Sequence, residues 1–226
     1  FFFRPRLLFP PLIRGGGCGF LACPCRGKKL TWLKMKTVFL DRDGVISQFT
    51  PNDYVKTWNE FRFLPGALRG LGMLFSHGYR IVVISNQAGV SKGIFSMENL
   101  NDITLKMERE AEKAGTVFAA VYYCIHAPEE NCECRKPRPG LLQRAKRELG
   151  GIIFGETFFV GDTDIDIEAG KAAGTKTILV LSGKTRTAEE TLGWKARPDF
   201  VASGLEEAAE IIIRQDSSEK DEGKSK

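Results

Sequence analysis

The sequence lacks any apolar run long enough to cross a membrane. A spanning helix needs about 20 consecutive apolar residues, and the apolar stretches near the N-terminus are interrupted by Arg4, Arg6 and Arg14. An integral membrane protein is therefore excluded, and we expect no membrane partner. With 226 residues, 42% of them hydrophobic, the chain has the size and composition of one soluble globular domain.

Acidic residues are absent from the first 34 positions. This segment carries seven basic residues, and removing them from the formal charge of +5 leaves the remainder at −2. A mildly acidic body argues against a nucleic-acid partner, which would need a basic surface. The seven basic residues are Arg4, Arg6, Arg14, Arg26, Lys28, Lys29 and Lys34.

The same segment, residues 1–34, has neither helical nor strand periodicity and begins without Met. Met35 directly precedes an apolar strand pattern, so we interpret 1–34 as a leader outside the domain, with a processed targeting segment as the alternative. We expect a single domain over 35–214 and a disordered charged tail over 215–226. No internal repeat occurs, and no insertion is long enough for a cap domain.

From Met35 onward, short apolar segments alternate with amphipathic ones. This alternation predicts an α/β fold, a three-layer sandwich in which a Rossmann-like parallel sheet has helices on both faces. Strands are predicted at 37–40, 80–84, 119–123, 157–160, 176–181 and 200–201, and helices at 67–75, 96–114, 140–149, 165–173 and 205–213.

Two acids, Asp41 and Asp43, follow the first predicted strand and lie on the same side of it. Close carboxylates repel each other unless they share a proton or a cation. Mg²⁺, which prefers oxygen ligands, would let one of them attack a phosphate. Asp41 would then be the nucleophile and Asp43 the general acid and base. The motif alone is also compatible with a turn that carries two solvated carboxylates.

Polar residues also follow the second and fourth predicted strands. Ser85 begins the sequence Ser85-Asn86-Gln87, and Asp162 begins a run of three acids over 162–166. In open parallel sheets, ligands bind beyond the carboxyl ends of the strands. Each motif alone could simply cap a helix, and it is their combination that indicates a site.

Disulfides are not indicated. Three of the six cysteines lie in the leader, and the other three, Cys124, Cys132 and Cys134, cluster around His126. This clustering favours a metal site and fits a reducing cytoplasm. Three thiols and one imidazole predict a closed tetrahedral Zn²⁺ site with a structural role. Three thiols that are close by chance are the alternative.

The order of these motifs resembles the haloacid dehalogenase superfamily of phosphatases over 35 to about 213. Its pattern is Asp-x-Asp, then Ser or Thr, then Lys, then paired acids. The resemblance implies that Asp41 is the nucleophile, that Asp43 is the acid and base, and that Ser85 and Lys136 bind the phosphoryl group. Mg²⁺ would bind to Asp41, Asp43 and Asp162, with Asp43 contributing its backbone carbonyl.

Two further acids follow Asp162. Asp166 is similar to the superfamily's second acid, which orients the lysine and the metal-bound water, and we expect Asp164 to cap the helix. A binding module with a dead site should have lost a catalytic residue, and none is missing. A nucleic-acid end-phosphatase is another alternative, but it should carry a basic stripe. The net charge of −2 outside the first 34 residues argues against it.

The predicted zinc cluster, formed by Cys124, His126, Cys132 and Cys134, is followed directly by Arg135-Lys136-Pro137. This arrangement resembles the capless, zinc-containing branch of the superfamily, which contains the heptose bisphosphate and histidinol-phosphate phosphatases. Loop similarity favours heptose, which implies removal of the 7-phosphate of D-glycero-D-manno-heptose 1,7-bisphosphate in nucleotide-activated heptose and lipopolysaccharide synthesis. Histidinol phosphate or another small sugar phosphate is the alternative. Residues 47–54 are not a close match to the heptose enzymes' substrate loop, although Asp53-Tyr54-Val55 resembles its end.

The same resemblance implies which side chains contact the substrate and how the protein exists in the cell. We expect a cytoplasmic monomer that binds a small phosphorylated sugar. The implied substrate contacts are Arg135, Asn86, Gln87, Asp53 and Tyr54.

Overall fold

The computed structural model describes residues 36–222, so the leader predicted at 1–34 lies outside the described residues. A six-stranded sheet forms the centre of the fold. Its strands are β1 Thr37–Leu40, β2 Arg80–Asn86, β3 Phe118–Cys124, β4 Phe158–Gly161, β5 Lys176–Val180 and β6 Phe200–Ala202. Every pairing is parallel, and the strands lie in the order β3-β2-β1-β4-β5-β6. The predicted α/β class is confirmed.

Within residues 36–222, five α-helices cover the two faces of this sheet. Alternate strand residues point to opposite faces, so Val38 and Leu40 join one hydrophobic cluster while Phe39 joins another. The helices are α1 Ala67–Ser76, α2 Met97–Lys113, α3 Gly140–Leu149, α4 Asp164–Ala173 and α5 Leu205–Glu222. Helices α1, α2 and α5 pack in the first cluster, and α3 and α4 in the second.

Both ends of α2 carry residues that define where the helix begins and ends. The Ser96 hydroxyl accepts a hydrogen bond from the Asn99 backbone N–H at 3.2 Å. Gly115 follows the helix with φ of 82°, a left-handed conformation that glycine adopts without steric cost.

The tail differs from the expectation of disorder over 215–226. Helix α5 continues to Glu222, so the described part of that segment is helical. Lys36, just before β1, forms an ion pair with Asp216, and the Ser217 hydroxyl donates to the Ile213 carbonyl within the helix. The long-range ion pair is a tertiary contact that the composition of the tail does not reveal.

The sheet order reverses between β1 and β4, and this is where a doubly wound sheet opens a crevice for ligands. The connection from β1 to α1, residues 41–66, lies beside that point. Ser47 holds it in place through isolated bridges to Asp43 and Phe63. None of the helices in the described part of the chain is long and apolar enough to cross a membrane.

Candidate active site

A cavity of about 160 Å³ opens at the carboxyl ends of β1, β2 and β4. Asp41 lies at its base, where its backbone N–H donates to the Val160 carbonyl of β4 at 3.0 Å. The motifs that follow three separate strands in sequence therefore meet in one place. The wall comprises Asp41, Asp43, Phe49, Thr50, Asp53, Tyr54, Val55, Ser85, Asn86, Lys136, Asp162, Thr163, Ile165 and Asp166.

Lys136 joins two of the acids inside the protein. Its ammonium group lies 2.9 Å from Asp41 Oδ1 and 2.6 Å from Asp166 Oδ1, and it donates to the Ile84 carbonyl at 3.1 Å. Burial alone would lower the pKa of Lys136, but the charges of Asp166 and Asp41 outweigh burial and raise it. The lysine is therefore a fixed cation at the base of the cavity.

Three carboxylates crowd this base. One oxygen from each of Asp41, Asp162 and Asp166 lies within 4.8 Å of the others. Burial raises the pKa of Asp41 to about 6 despite the opposing charge of Lys136, and neighbouring carboxylates add to the rise. Burial, followed by Asp166 and Asp41, also raises the pKa of Asp162. Three carboxylates share the single positive charge of Lys136. Because Mg²⁺ prefers oxygen ligands and would supply further positive charge, this set of donors fits the predicted cation.

Asp166 is already engaged by the protein. One oxygen pairs with Lys136, and the other accepts hydrogen bonds from the Thr163 hydroxyl at 2.6 Å and from the backbone N–H groups of Thr163 and Asp162. Asp166 therefore caps α4 and orients the lysine at once. The capping expected of Asp164 was wrong: Asp164 is the first helical residue and lies exposed.

The loop after β5 fixes Asp162, a role that the sequence analysis missed. The Lys184 backbone N–H donates to Asp162 Oδ2 at 2.6 Å, and the Ser182 hydroxyl donates to the Gly44 carbonyl at 2.8 Å. Gly183 and Gly44 both contact the Asp162 carboxylate so closely that a Cβ at either position would collide with it. A glycine between two polar residues just after a strand was the available signal.

Asp43 lies in the cavity wall with its carboxylate hydrogen-bonded to the protein. Arg42 donates to both oxygens, at 3.0 and 2.7 Å, and Ser47 and Gln87 each donate to one, at 2.9 and 2.8 Å. Burial raises the pKa of Asp43, but the Arg42 charge and these hydrogen bonds outweigh it, so the pKa lies below its usual value. The substrate-free site thus favours the Asp43 carboxylate, the form a general base needs, and Asp43 must first take up a proton before it can act as an acid.

The structure separates the five expected substrate contacts into two groups. Asp53, Tyr54 and Asn86 line the cavity, whereas Gln87 and Arg135 are not part of its wall. Gln87 is fully buried behind Asp43, and Arg135 donates to the His126 carbonyl at 3.4 Å.

The cavity-lining contacts also serve the protein itself. The Asn86 side chain brackets Lys136, accepting from its backbone N–H and donating to its carbonyl, both at 3.1 Å. The Tyr54 ring lies 5.8 Å from Phe95, and Asp53 pairs with Lys56 at 2.7 Å. Phe49 and Thr50, which the sequence analysis did not single out, complete this wall.

The predicted zinc ligands come together beside the active site. Sulfur–sulfur distances among Cys124, Cys132 and Cys134 are 3.3 to 3.6 Å, and His126 Nδ1 lies 3.2 Å from Cys134 Sγ and 3.7 Å from Cys124 Sγ. A disulfide would need about 2.05 Å. Zn–S bonds of about 2.3 Å in a tetrahedron place sulfurs about 3.7 Å apart, so the cluster fits Zn²⁺.

The acids after β1 and β4, the lysine between them and the sheet order define a haloacid dehalogenase-like hydrolase. A family model described as HAD-hydrolase-like matches residues 133–208. The D-glycero-β-D-manno-heptose-1,7-bisphosphate 7-phosphatases of Neisseria meningitidis and Haemophilus ducreyi are 37% and 38% identical to this chain, covering 66% and 68% of it and 79% and 87% of their own lengths. The chain belongs to the family of these phosphatases.

A solved structure agrees with this placement. The crystal structure of D,D-heptose 1,7-bisphosphate phosphatase from Bordetella bronchiseptica, in complex with magnesium and phosphate, superposes with a TM-score of 0.74 at 32% identity. The match covers 80% of this chain and 99% of that one.

Proposed function

We propose that this protein hydrolyses the 7-phosphate of D-glycero-D-manno-heptose 1,7-bisphosphate through an aspartyl phosphate on Asp41, in nucleotide-activated heptose synthesis for lipopolysaccharide. The observation that carries the chemistry is the buried set of Asp41, Lys136, Asp162 and Asp166 at the base of one open cavity. The assignment of the heptose as substrate is supported by the similarity to heptose 1,7-bisphosphate phosphatases.

Mg²⁺ would be held by Asp41, Asp162 and the backbone carbonyl of Asp43, and would neutralise charge between the carboxylates and the phosphate. The chain's own groups do the rest. The Asp41 carboxylate attacks phosphorus, and Lys136 and the Ser85 hydroxyl bind the phosphoryl oxygens. Asp43 gives a proton to the departing sugar oxygen, then takes one from the water that hydrolyses the aspartyl phosphate.

The zinc site would be structural in this scheme. Its four ligands leave no open position for water, and the last ligand, Cys134, lies two residues before Lys136. We further propose that the protein acts as a monomer in the cytoplasm, whose reducing conditions keep these thiols available. Light scattering during gel filtration tests the monomer, since a mass near 25.1 kDa is expected.

The substrate is tested by phosphate release with Mg²⁺ from heptose 1,7-bisphosphate, histidinol phosphate and fructose 1,6-bisphosphate. We expect kcat/KM to be at least about tenfold higher for the heptose. Preference for histidinol phosphate would overturn the sugar but keep the chemistry. Asp41→Asn is the blank, and phosphate release by that variant would overturn the aspartyl phosphate itself.

A further inference from the structure

The Asp43 carboxylate is held by four hydrogen bonds, two to each oxygen. Oδ1 accepts from Arg42 Nε at 3.0 Å and from Ser47 Oγ at 2.9 Å. Oδ2 accepts from Arg42 Nη2 at 2.7 Å and from Gln87 Nε2 at 2.8 Å. Two donors on each oxygen fix both the position and the rotation of the group.

These donors lie away from the cavity. Arg42, Ser47 and Gln87 are all completely buried, and none of them lines the cavity wall. Arg42 and Ser47 therefore reach a substrate through Asp43, and Gln87 reaches it through Asp43 and Ser85. In contrast, one edge of the Asp43 side chain remains open, with 24% of it exposed.

Each donor is in turn held by further contacts, two of them to neighbouring residues of β3. The Arg42 guanidinium lies 5.7 Å from the centre of the Tyr123 ring, and Ser47 Oγ also lies 3.3 Å from the Arg42 carbonyl. The Gln87 backbone N–H donates to the Cys124 carbonyl at 2.6 Å, and its Nε2 also lies 3.2 Å from Ser85 Oγ. Gln87 thus links Asp43, Ser85 and the first cysteine of the zinc cluster.

We propose that Gln87 and Ser47 are positioning residues for proton transfer, which together with Arg42 hold Asp43 against the reacting oxygens rather than bind substrate. The inference rests on the proposed function, because it takes Asp43 as the acid and base. It changes the role of Gln87, which the sequence analysis had assigned to substrate binding.

The two half-reactions depend on Asp43 to different degrees. In the first, the bond from Asp41 to phosphorus forms, the bond from phosphorus to the leaving oxygen breaks, and that oxygen takes a proton from Asp43. A 4-nitrophenolate leaving group is stable without this proton. In the second, water attacks phosphorus, its proton passes to Asp43, and Asp41 is released. The second half-reaction needs Asp43 for every substrate.

Gln87→Met tests the proposal, because it keeps the length of the side chain and removes the donor. We expect steady-state hydrolysis of 4-nitrophenyl phosphate to fall about tenfold to a hundredfold, the range for one hydrogen bond to a charged group. The first turnover, followed by stopped-flow release of 4-nitrophenolate, should stay within about twofold of wild type. KM should fall in step with kcat and leave kcat/KM near the wild-type value, because only the second half-reaction slows. Gln143→Met on the exposed surface of α3 should match wild type throughout.

Two outcomes would overturn the positioning role. Equal slowing of the first turnover and the steady state would mean a general distortion of the site, and a raised KM with unchanged kcat would mean a substrate contact. Ser47→Ala removes the donor on the other oxygen and should give the same split, so the test survives if Gln87→Met fails to fold. The aryl phosphate carries no sugar, so a wrong sugar assignment would leave this result unaffected.

Discussion

Replacing Lys136 with Met should destabilise the protein strongly at neutral pH. The substitution removes a buried cation, whose side chain is 2% exposed, from two carboxylates at 2.9 and 2.6 Å. It leaves buried acids without their counter-charge, and breaking such a pair costs about 3–5 kcal/mol. Urea unfolding at pH 7.5 without Mg²⁺, followed by tryptophan fluorescence, should report a loss of this size.

The loss should shrink as the pH falls. Burial raises the pKa of Asp41 to about 6 even beside Lys136 and also raises that of Asp162, so the folded state binds these protons more tightly than the unfolded state. The cost of ionised, unpaired acids is therefore present above the folded pKa and is relieved below it. Lys136 itself has a raised pKa and stays charged throughout the range from pH 5 to 7.5.

A matched control separates this effect from the loss of any lysine. Lys106 pairs with Asp102 at 2.8 Å on the exposed surface of α2, and such pairs contribute roughly 0.3–0.5 kcal/mol. Lys106→Met should therefore cost little at either pH. If Lys136→Met is no less stable than this control, or loses the same free energy at pH 5 and 7.5, the charge-balance reasoning is refuted.

Two further predictions concern the metal site. Gly183→Ala should weaken Mn²⁺ binding, measured by electron paramagnetic resonance, about tenfold or more, because the new Cβ displaces the Asp162 carboxylate; unchanged affinity would contradict the role given to the β5 loop. Mg²⁺ should raise the melting temperature more at pH 7.5 than at pH 5, because protons on Asp41 and Asp162 compete with the cation at the lower pH. An equal rise at both pH values would contradict binding of the cation by these two carboxylates.

Three of the predicted site residues could be placed from the sequence because each follows a recognisable strand. In a parallel sheet the carboxyl ends of neighbouring strands meet at one edge, so Asp41, Ser85 and Asp162 could be placed together without knowing any distance. The cluster of Cys124, His126, Cys132 and Cys134 could also be predicted from the sequence, because all four residues lie within residues 124–134.

Contacts between distant segments were not accessible in this way. The pairing of Gln87 with Asp43 and of Lys184 with Asp162 depends on how loops from different strands approach each other, which no local pattern encodes. The helical extension past Gln215 likewise accompanies a tertiary ion pair of Asp216.

Zinc removal should slow catalysis before it unfolds the protein, because the zinc cluster reaches the active site by two short routes. Along the chain, Cys134 lies two residues before Lys136. Across the sheet, the Cys124 carbonyl accepts a hydrogen bond from the backbone N–H of Gln87. The side chain of Gln87 in turn donates a hydrogen bond to the Asp43 carboxylate.

A chelator titration with parallel measurements of bound zinc, turnover and far-ultraviolet circular dichroism checks this order of events. About one zinc per chain is expected at the start, and turnover should fall with zinc while the helical signal persists. The two hydrogen bonds from the Asn86 side chain to the Lys136 backbone should keep Lys136 partly in place without zinc. We therefore expect the zinc-free protein to retain a low rate of turnover. Full activity in zinc-free, folded protein would show that the cluster does not support Lys136.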